Sequence, residues 1–254
     1  MASEASPGDE EALEGAAFYD QPSVFEIYSE HRLSANNPND LMEGPTFLEL
    51  LGPARGLRIV ELGCGDAGFG RQLLAAGCQS YTGVDASQNM AEAAKRTLRG
   101  TAGLVRQERL ESFLLESGTL DLVVSRLALH YVDDLAAVLQ RVHRALVPGG
   151  RLVFSVEHPI ITSCDRGWDQ SGPRGSWVVD DYFRTGKREM RWLGARVQKY
   201  HRTVEDYIGL VQQAGFRLDS LREARPRPDL FVSTDEFQRR SRIPLFLLLA
   251  STRV

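Results

Sequence analysis

Cysteine is scarce: the chain has three, Cys64, Cys78 and Cys164, none in a C-x-x-C or other metal-ligand spacing. Such a set implies neither a disulfide framework nor a metal site, and a reducing compartment fits best. Lys and Arg are absent from the first 31 positions, which argues against a secretory signal or an Arg-rich transit peptide. Long apolar runs are missing too, since Pro244 to Ala250 has the size of a buried strand and not of a bilayer span. The formal net charge of −4 gives no electrostatic footprint for a polyanion. Arg217, Arg222, Arg225, Arg227, Arg239, Arg240 and Arg242 are interrupted by prolines and carboxylates and read as solvated surface. The expectation is a cytoplasmic protein, monomer or homodimer, with no nucleic-acid or membrane partner.

What is present is a regular alternation of strands and helices. With 254 residues, 43% of them hydrophobic, one substantial α/β domain is the expectation. Residues 1–16 are small, acidic and aperiodic and are expected to be a disordered tail, so that the fold starts near Phe18 and runs through 17–254. One or two short helices follow up to Leu51. Strands are predicted at Leu57–Leu62, Ser80–Val84, Leu104–Gln107, Leu120–Ser125 and Arg151–Val156, with intervening helices capped by Ser87 and by Asp133 or Asp134. This spacing requires right-handed crossovers and hence a doubly wound, mostly parallel sheet covered on both faces. Residues 161–200, with Trp168, Trp177, Tyr182, Phe183 and Trp192, interrupt the pattern as a loop or small antiparallel cap. A helix capped by Thr203 and strands at Phe216–Leu221 and Pro244–Ala250 complete seven strands.

The most informative stretch is RIVELGCGDAGFG, where Gly63, Gly65 and Gly68 form G-x-G-x-x-G between a strand and a helix. Glycines there allow a sharp turn and the close approach of a ligand to the backbone. Asp85 closes the next strand, where an acid can accept hydrogen bonds from two ribose hydroxyls. A dinucleotide would set its pyrophosphate against the helix N-terminus. Glu61 and Asp66 oppose that pyrophosphate but suit the ammonium of a methionine moiety, which moves the reading to S-adenosylmethionine (SAM).

These motifs resemble the class I SAM-dependent methyltransferases, among them the small-molecule type with the methyltransferase-11 pattern. ELGCG (Glu61–Gly65), GVDAS (Gly83–Ser87), SRLALHYVDD (Ser125–Asp134) and ALVPGGRLVFSVEHPI (Ala145–Ile160) carry the resemblance, which spans about Tyr28 to Ala250. It implies a Rossmann-like seven-stranded fold, SAM as cofactor and a small-molecule methyl acceptor. It also implies that Gly63, Cys64 and Gly65 pass beneath the methionine part, that Asp85 holds the ribose, and that Ala86 and Met90 border the adenine. In QERLES the adenine contact falls to Glu108 or Arg109, with Leu110 on the apolar side. Tyr28 and Arg32 resemble a Y-x-x-x-R that reaches the methionine carboxylate, and Arg126 is placed with the cofactor contacts. As groups that orient the acceptor or take its proton, His130, Tyr131, Glu157, His158 and His201 are candidates, and His158 is favoured because EHPI leaves strand five beside the cofactor. No Asn/Asp-Pro-Pro-Tyr follows strand four, which argues against macromolecular amino-methylation. A nicotinamide-dependent oxidoreductase and a non-catalytic SAM-binding protein are the alternatives.

Overall fold

The structure is a computed structural model that describes residues 11–254 except 33, 35, 36 and 172–174. Two helices, α1 (Gly15–Tyr19) and α2 (Pro22–Arg32), lead into a π-helical turn at Asn39–Glu43 and then α3 (Gly44–Leu51). The alternation proper runs β1 (Arg58–Leu62), α4 (Gly68–Ala75), β2 (Ser80–Asp85), α5 (Gln88–Thr97), β3 (Leu104–Gln107), β4 (Leu120–Arg126), α6 (Leu135–Ala145) and β5 (Leu146–Glu157). After it come α7 (Pro159–Thr162), the short pair β6 (Trp168–Asp169) and β7 (Ser176–Trp177), and the hairpin β8 (Gly186–Trp192) and β9 (Ala195–His201). Helix α8 (Val204–Gln213), β10 (Phe216–Glu223), α9 (Thr234–Arg240) and β11 (Phe246–Arg253) end the chain.

Seven strands form one sheet in the order β10-β11-β5-β4-β1-β2-β3. β1 to β5 are parallel, while β11 runs antiparallel to both β5 and β10. The period-two alternation of side chains divides the core between the two faces. Ile59, Leu122, Leu248 and Ala250 pack with Phe47 and Leu51 of α3, Phe69 and Leu73 of α4, and Ala94 of α5. Val60, Val123, Leu152, Leu247 and Leu249 pack on the other face with Leu135, Leu139 and Val142 of α6 and Tyr207 and Val211 of α8. The expected doubly wound α/β architecture is therefore present.

Local signals account for the helix boundaries. The Ser87 hydroxyl accepts from Met90 N–H, the Asp134 carboxylate accepts from Ala137 N–H, and Thr203 and Asp206 form a reciprocal capping box on α8. Gly215, with φ +95°, supplies the left-handed residue after α8. Three features differ from the sequence reading. Strand β5 starts at Leu146 because Leu146 pairs with Leu120, and helix α9 had no strong periodicity to reveal it. Residues 11–16, expected in the disordered tail, are ordered: Ala12 is buried and Leu13 bridges Val197 of β9, exchanging backbone hydrogen bonds with Arg196 and Gln198. Residues 1–10 lie outside the described residues.

The ordered N-terminal segment makes a third cluster above the sheet. Phe18, Val24 and Val197 are buried together, with Leu13, Tyr19, Tyr131 and Trp192 packed around them. A cap built from α1, α2 and the β8–β9 hairpin thus stands over the C-terminal strand ends. Among the described residues no helix is long and apolar enough to cross a membrane, and no cluster of His, Cys, Asp or Glu is set to hold a metal ion.

Candidate active site

The order of the sheet reverses between β1 and β4, and a crevice opens at such a switch point because the connecting segments leave in opposite directions. Here it becomes a cavity of about 820 Å³ between the strand ends and the cap. Its walls include Glu61, Gly63, Cys64 and Gly65 after β1, Asp85, Ala86 and Met90 after β2, Arg109 and Leu110 after β3, and Arg126, His130 and Tyr131 after β4. Tyr28 and Arg32 of α2 close it from above. Every candidate for cofactor contact except Glu108 is therefore brought to this cavity.

One end is made mostly of backbone. Gly63 and Cys64 donate N–H groups to the Val84 carbonyl, which locks the loop to β2. Gly63 has φ +71°, and a Cβ there would come within 2.1 Å of Ala128 Cβ. Gly65, with φ +54°, has open space where its Cβ would be, and it lines the cavity. The loop is tied to Asp85: Gly65 N–H donates to one carboxylate oxygen at 2.9 Å and Ser87 N–H to the other at 3.0 Å. Burial pushes the Asp85 pKa up, while these backbone bonds pull it down. Each oxygen keeps a further lone pair for a diol. The cradle a Cβ would fill, an acid fit for two hydroxyls and the flanking carboxylates fit a cationic, ribose-bearing cofactor.

Glu61 is buried beneath the loop, and the Tyr81 hydroxyl donates to it at 2.5 Å. Burial raises its pKa to about 7, against the opposing effects of the Tyr81 bond and of Arg126. The Cys64 thiol is pushed up by burial and so is a poor nucleophile. Arg126 is less free than its predicted role requires, because its guanidinium forks onto the fully buried Glu43 and lies over the Phe47 and Phe69 rings. Arg32 pairs with Asp40 at 3.3 Å and Tyr28 is pushed up to about 12 by burial. Of the two candidates for the adenine side, Arg109 lines the cavity. It reaches across to Glu14 of the N-terminal segment at 2.6 Å.

The other end is made of side chains. Leu127, also in the wall, is held at φ +53° by its N–H bonds to the Ser155 carbonyl and hydroxyl, a strained conformation for a branched residue. Tyr131 hydrogen-bonds Tyr19 at 3.2 Å, and burial raises both phenols, so they stay protonated. Glu157 lines the cavity, and Lys199 holds it below the usual carboxylate range despite burial. His130 is buried with its pKa lowered to about 4, chiefly by desolvation. Its Nδ1 accepts from Glu157 N–H at 3.4 Å, so the neutral ring carries its proton on Nε2, which has no partner among the described residues. His130 is therefore a neutral imidazole with its Nε2–H buried, and not a base.

His158, the favoured proton acceptor, does not line the cavity. Its Nδ1 accepts from Ile160 N–H, which caps α7, and its Nε2–H donates to Glu223 at 3.1 Å. Strand alternation explains this placement, because Glu157 faces the cavity and the next residue turns away. His201 is likewise engaged on both nitrogens, by the Thr162 hydroxyl and the Tyr182 carbonyl. The residues missed are Tyr19, Glu43 and Lys199, together with Gln198 and Tyr200 of the wall. The alternation in ARVQKYH, with Val197, Lys199 and His201 buried, could have separated the two faces of β9.

A family model described as a methyltransferase domain matches residues 60–154. The chain is 30% identical over 215 residues to an uncharacterized protein of Haemophilus influenzae, covering 81% of this chain and 85% of that one. It is 33% identical to the S-adenosylmethionine dependent methyltransferase from Mesorhizobium loti, whose crystal structure superposes with a TM-score of 0.78 over 88% of this chain and 100% of that one. Demethylmenaquinone methyltransferase of Lactococcus lactis is 26% identical over 206 residues, or 78% of this chain and 77% of its own length.

Proposed function

The chain belongs to the SAM-dependent methyltransferases, and from that premise we propose that it methylates a small molecule held between the strand ends and the cap. The observation that carries the reading is the half-open cavity that continues from the Gly63–Gly65 loop and Asp85 to the aromatic end at Tyr131 and Trp192. Its volume, about 820 Å³, suits a cofactor and one acceptor of modest size. The similarity to a demethylmenaquinone methyltransferase supports an acceptor of low molecular weight.

Bound SAM supplies a methyl group on a sulfonium that is already an activated leaving group. The protein's task is then alignment of the acceptor and exclusion of water. In this reading Asp85 holds the ribose hydroxyls, Glu61 and Asp66 compensate positive charge, and Arg32 reaches the methionine carboxylate. Met90 and Leu110 flank the adenine. Tyr131 donates a hydrogen bond toward the acceptor, and Glu157 accepts one. The acceptor end has an ionised carboxylate and protonated phenols, which orient a substrate; strong general-base catalysis is not needed.

The test is incubation of the protein with isotopically methyl-labelled SAM and a fractionated metabolite extract, read by mass spectrometry. Label in a compound of low molecular mass, together with S-adenosylhomocysteine, is the expected result. Label found only in protein or nucleic acid would overturn the acceptor class and leave the family assignment intact.

A further inference from the structure

Lys199 is buried at the back of the acceptor end. Its side chain is 3% exposed, and its Nζ lies 2.7 and 2.8 Å from the two oxygens of Glu157. The same ammonium stands 5.8 Å from the Tyr131 ring centre and 5.6 Å from that of Trp192. A carboxylate beside two aromatic faces is the arrangement that takes up a ligand cation. In this protein the seat is filled from within. Glu157, Tyr131 and Trp192 line the cavity, while Lys199 reaches them from the buried face of β9.

Two consequences follow for what can bind. Glu157 is compensated, so its carboxylate no longer attracts a positive charge but still offers lone pairs not used by Lys199. The aromatic faces that would stabilise an ammonium already carry one, and a second cation at that end would be repelled by it. We propose that Lys199 sets the acceptor specificity: the acceptor presents an uncharged O–H or N–H to Glu157, and ammonium-bearing compounds are excluded. Lys199 is then a positioning residue that acts through Glu157. This inference rests on the methyl-acceptor reading of the cavity.

The test uses a pair of isosteric probes that differ in charge, choline and 3,3-dimethylbutan-1-ol. Each is titrated by ligand-observed NMR into protein saturated with S-adenosylhomocysteine, for the wild type, Lys199→Met and Lys199→Arg. The wild type and Lys199→Arg should favour the uncharged probe by at least about tenfold, and Lys199→Met should reverse the preference as its aromatic seat empties and Glu157 loses its partner. A merely structural lysine would lower the melting temperature of Lys199→Met without reversing the preference. Equal affinities or a choline preference in the wild type would overturn the proposal, as would a missing reversal in a Lys199→Met protein that still binds S-adenosylhomocysteine. If Lys199→Met does not fold, Lys199→Gln replaces it, and the wild-type preference decides alone if both fail. Failure of the wild type to bind S-adenosylhomocysteine would instead strike the reading of the cavity itself.

Discussion

The two ends of the cavity are built by different means. The floor of the cofactor end uses backbone N–H groups, two positive-φ glycines and the carboxylates of Glu61, Asp66 and Asp85, a set confined to Glu61–Ser87 and anchored on two neighbouring parallel strands. The end under the cap uses side chains from four distant parts of the chain: Tyr19 of α1, Tyr131 after β4, Glu157 at the end of β5, and Trp192 and Lys199 of the hairpin. A backbone-built site is fixed by the fold and tolerates little change in its ligand, whereas a side-chain-built site can be altered one residue at a time. The difference suits a cofactor shared across a family and an acceptor that varies within it.

The comparison can be broken most severely at Gly65. Gly65→Val puts a branched side chain into the space reserved for the cofactor at a backbone angle that disfavours it, and SAM binding should fall below detection by calorimetry. The site lies at a loop with no packed neighbour within 4 Å, so circular dichroism should still report a folded chain. Normal SAM affinity in this variant would reduce the loop to a structural turn.

A subtler difference lies in protonation. In the free protein the Glu61 pKa is about 7, raised by burial, so the folded chain holds this proton more tightly than the unfolded chain does. Stability of the free protein therefore falls as pH rises from about 4.5 to 7, and it changes no further from this group above that interval. A cationic cofactor favours the ionised form, so SAM affinity should rise by up to about tenfold per pH unit below pH 7 and level off above it. Glu61→Gln should flatten the profile, and an unchanged slope would remove Glu61 from the cofactor's charge balance. At the acceptor end His130 is already neutral above about pH 4, and no such dependence is expected from it there.

The smallest effect is predicted for His158. With both ring nitrogens engaged away from the cavity, His158→Ala should cost about 1–2 kcal/mol through the lost cap and packing, a shift of roughly 2–8 °C in melting temperature. The turnover per folded molecule should remain within about twofold of the wild type, in contrast to the 10²–10⁴-fold loss typical of a missing general base. A loss of that size, once an acceptor is in hand, would restore His158 to the reaction.

These contrasts also explain what could be read from the residues alone. Strand and helix positions from β1 to β5 were legible because apolar runs and the caps at Ser87 and Asp134 act within a few residues. The cofactor end was legible for the same reason, since Gly63, Gly65 and Asp85 belong to two consecutive βα turns. The acceptor end was not, because it depends on which face of β5 and β9 each side chain takes. One residue of register separates Glu157, in the wall, from His158, outside it. Order at residues 11–16 was hidden similarly: an acidic, aperiodic stretch gave no local signal, and its order comes from pairing with β9 far along the chain.

The division of labour between the two ends is tested most directly by calorimetric titration of SAM into the wild type, Asp85→Ala and Glu157→Gln under identical conditions. Loss of hydrogen bonds to a charged acceptor predicts that Asp85→Ala weakens SAM by about 1.5–3 kcal/mol, or about 10- to 160-fold, in a folded protein. Glu157→Gln should leave SAM affinity within about threefold of the wild type. Unchanged affinity in Asp85→Ala, or an equal loss in Glu157→Gln, would contradict the account.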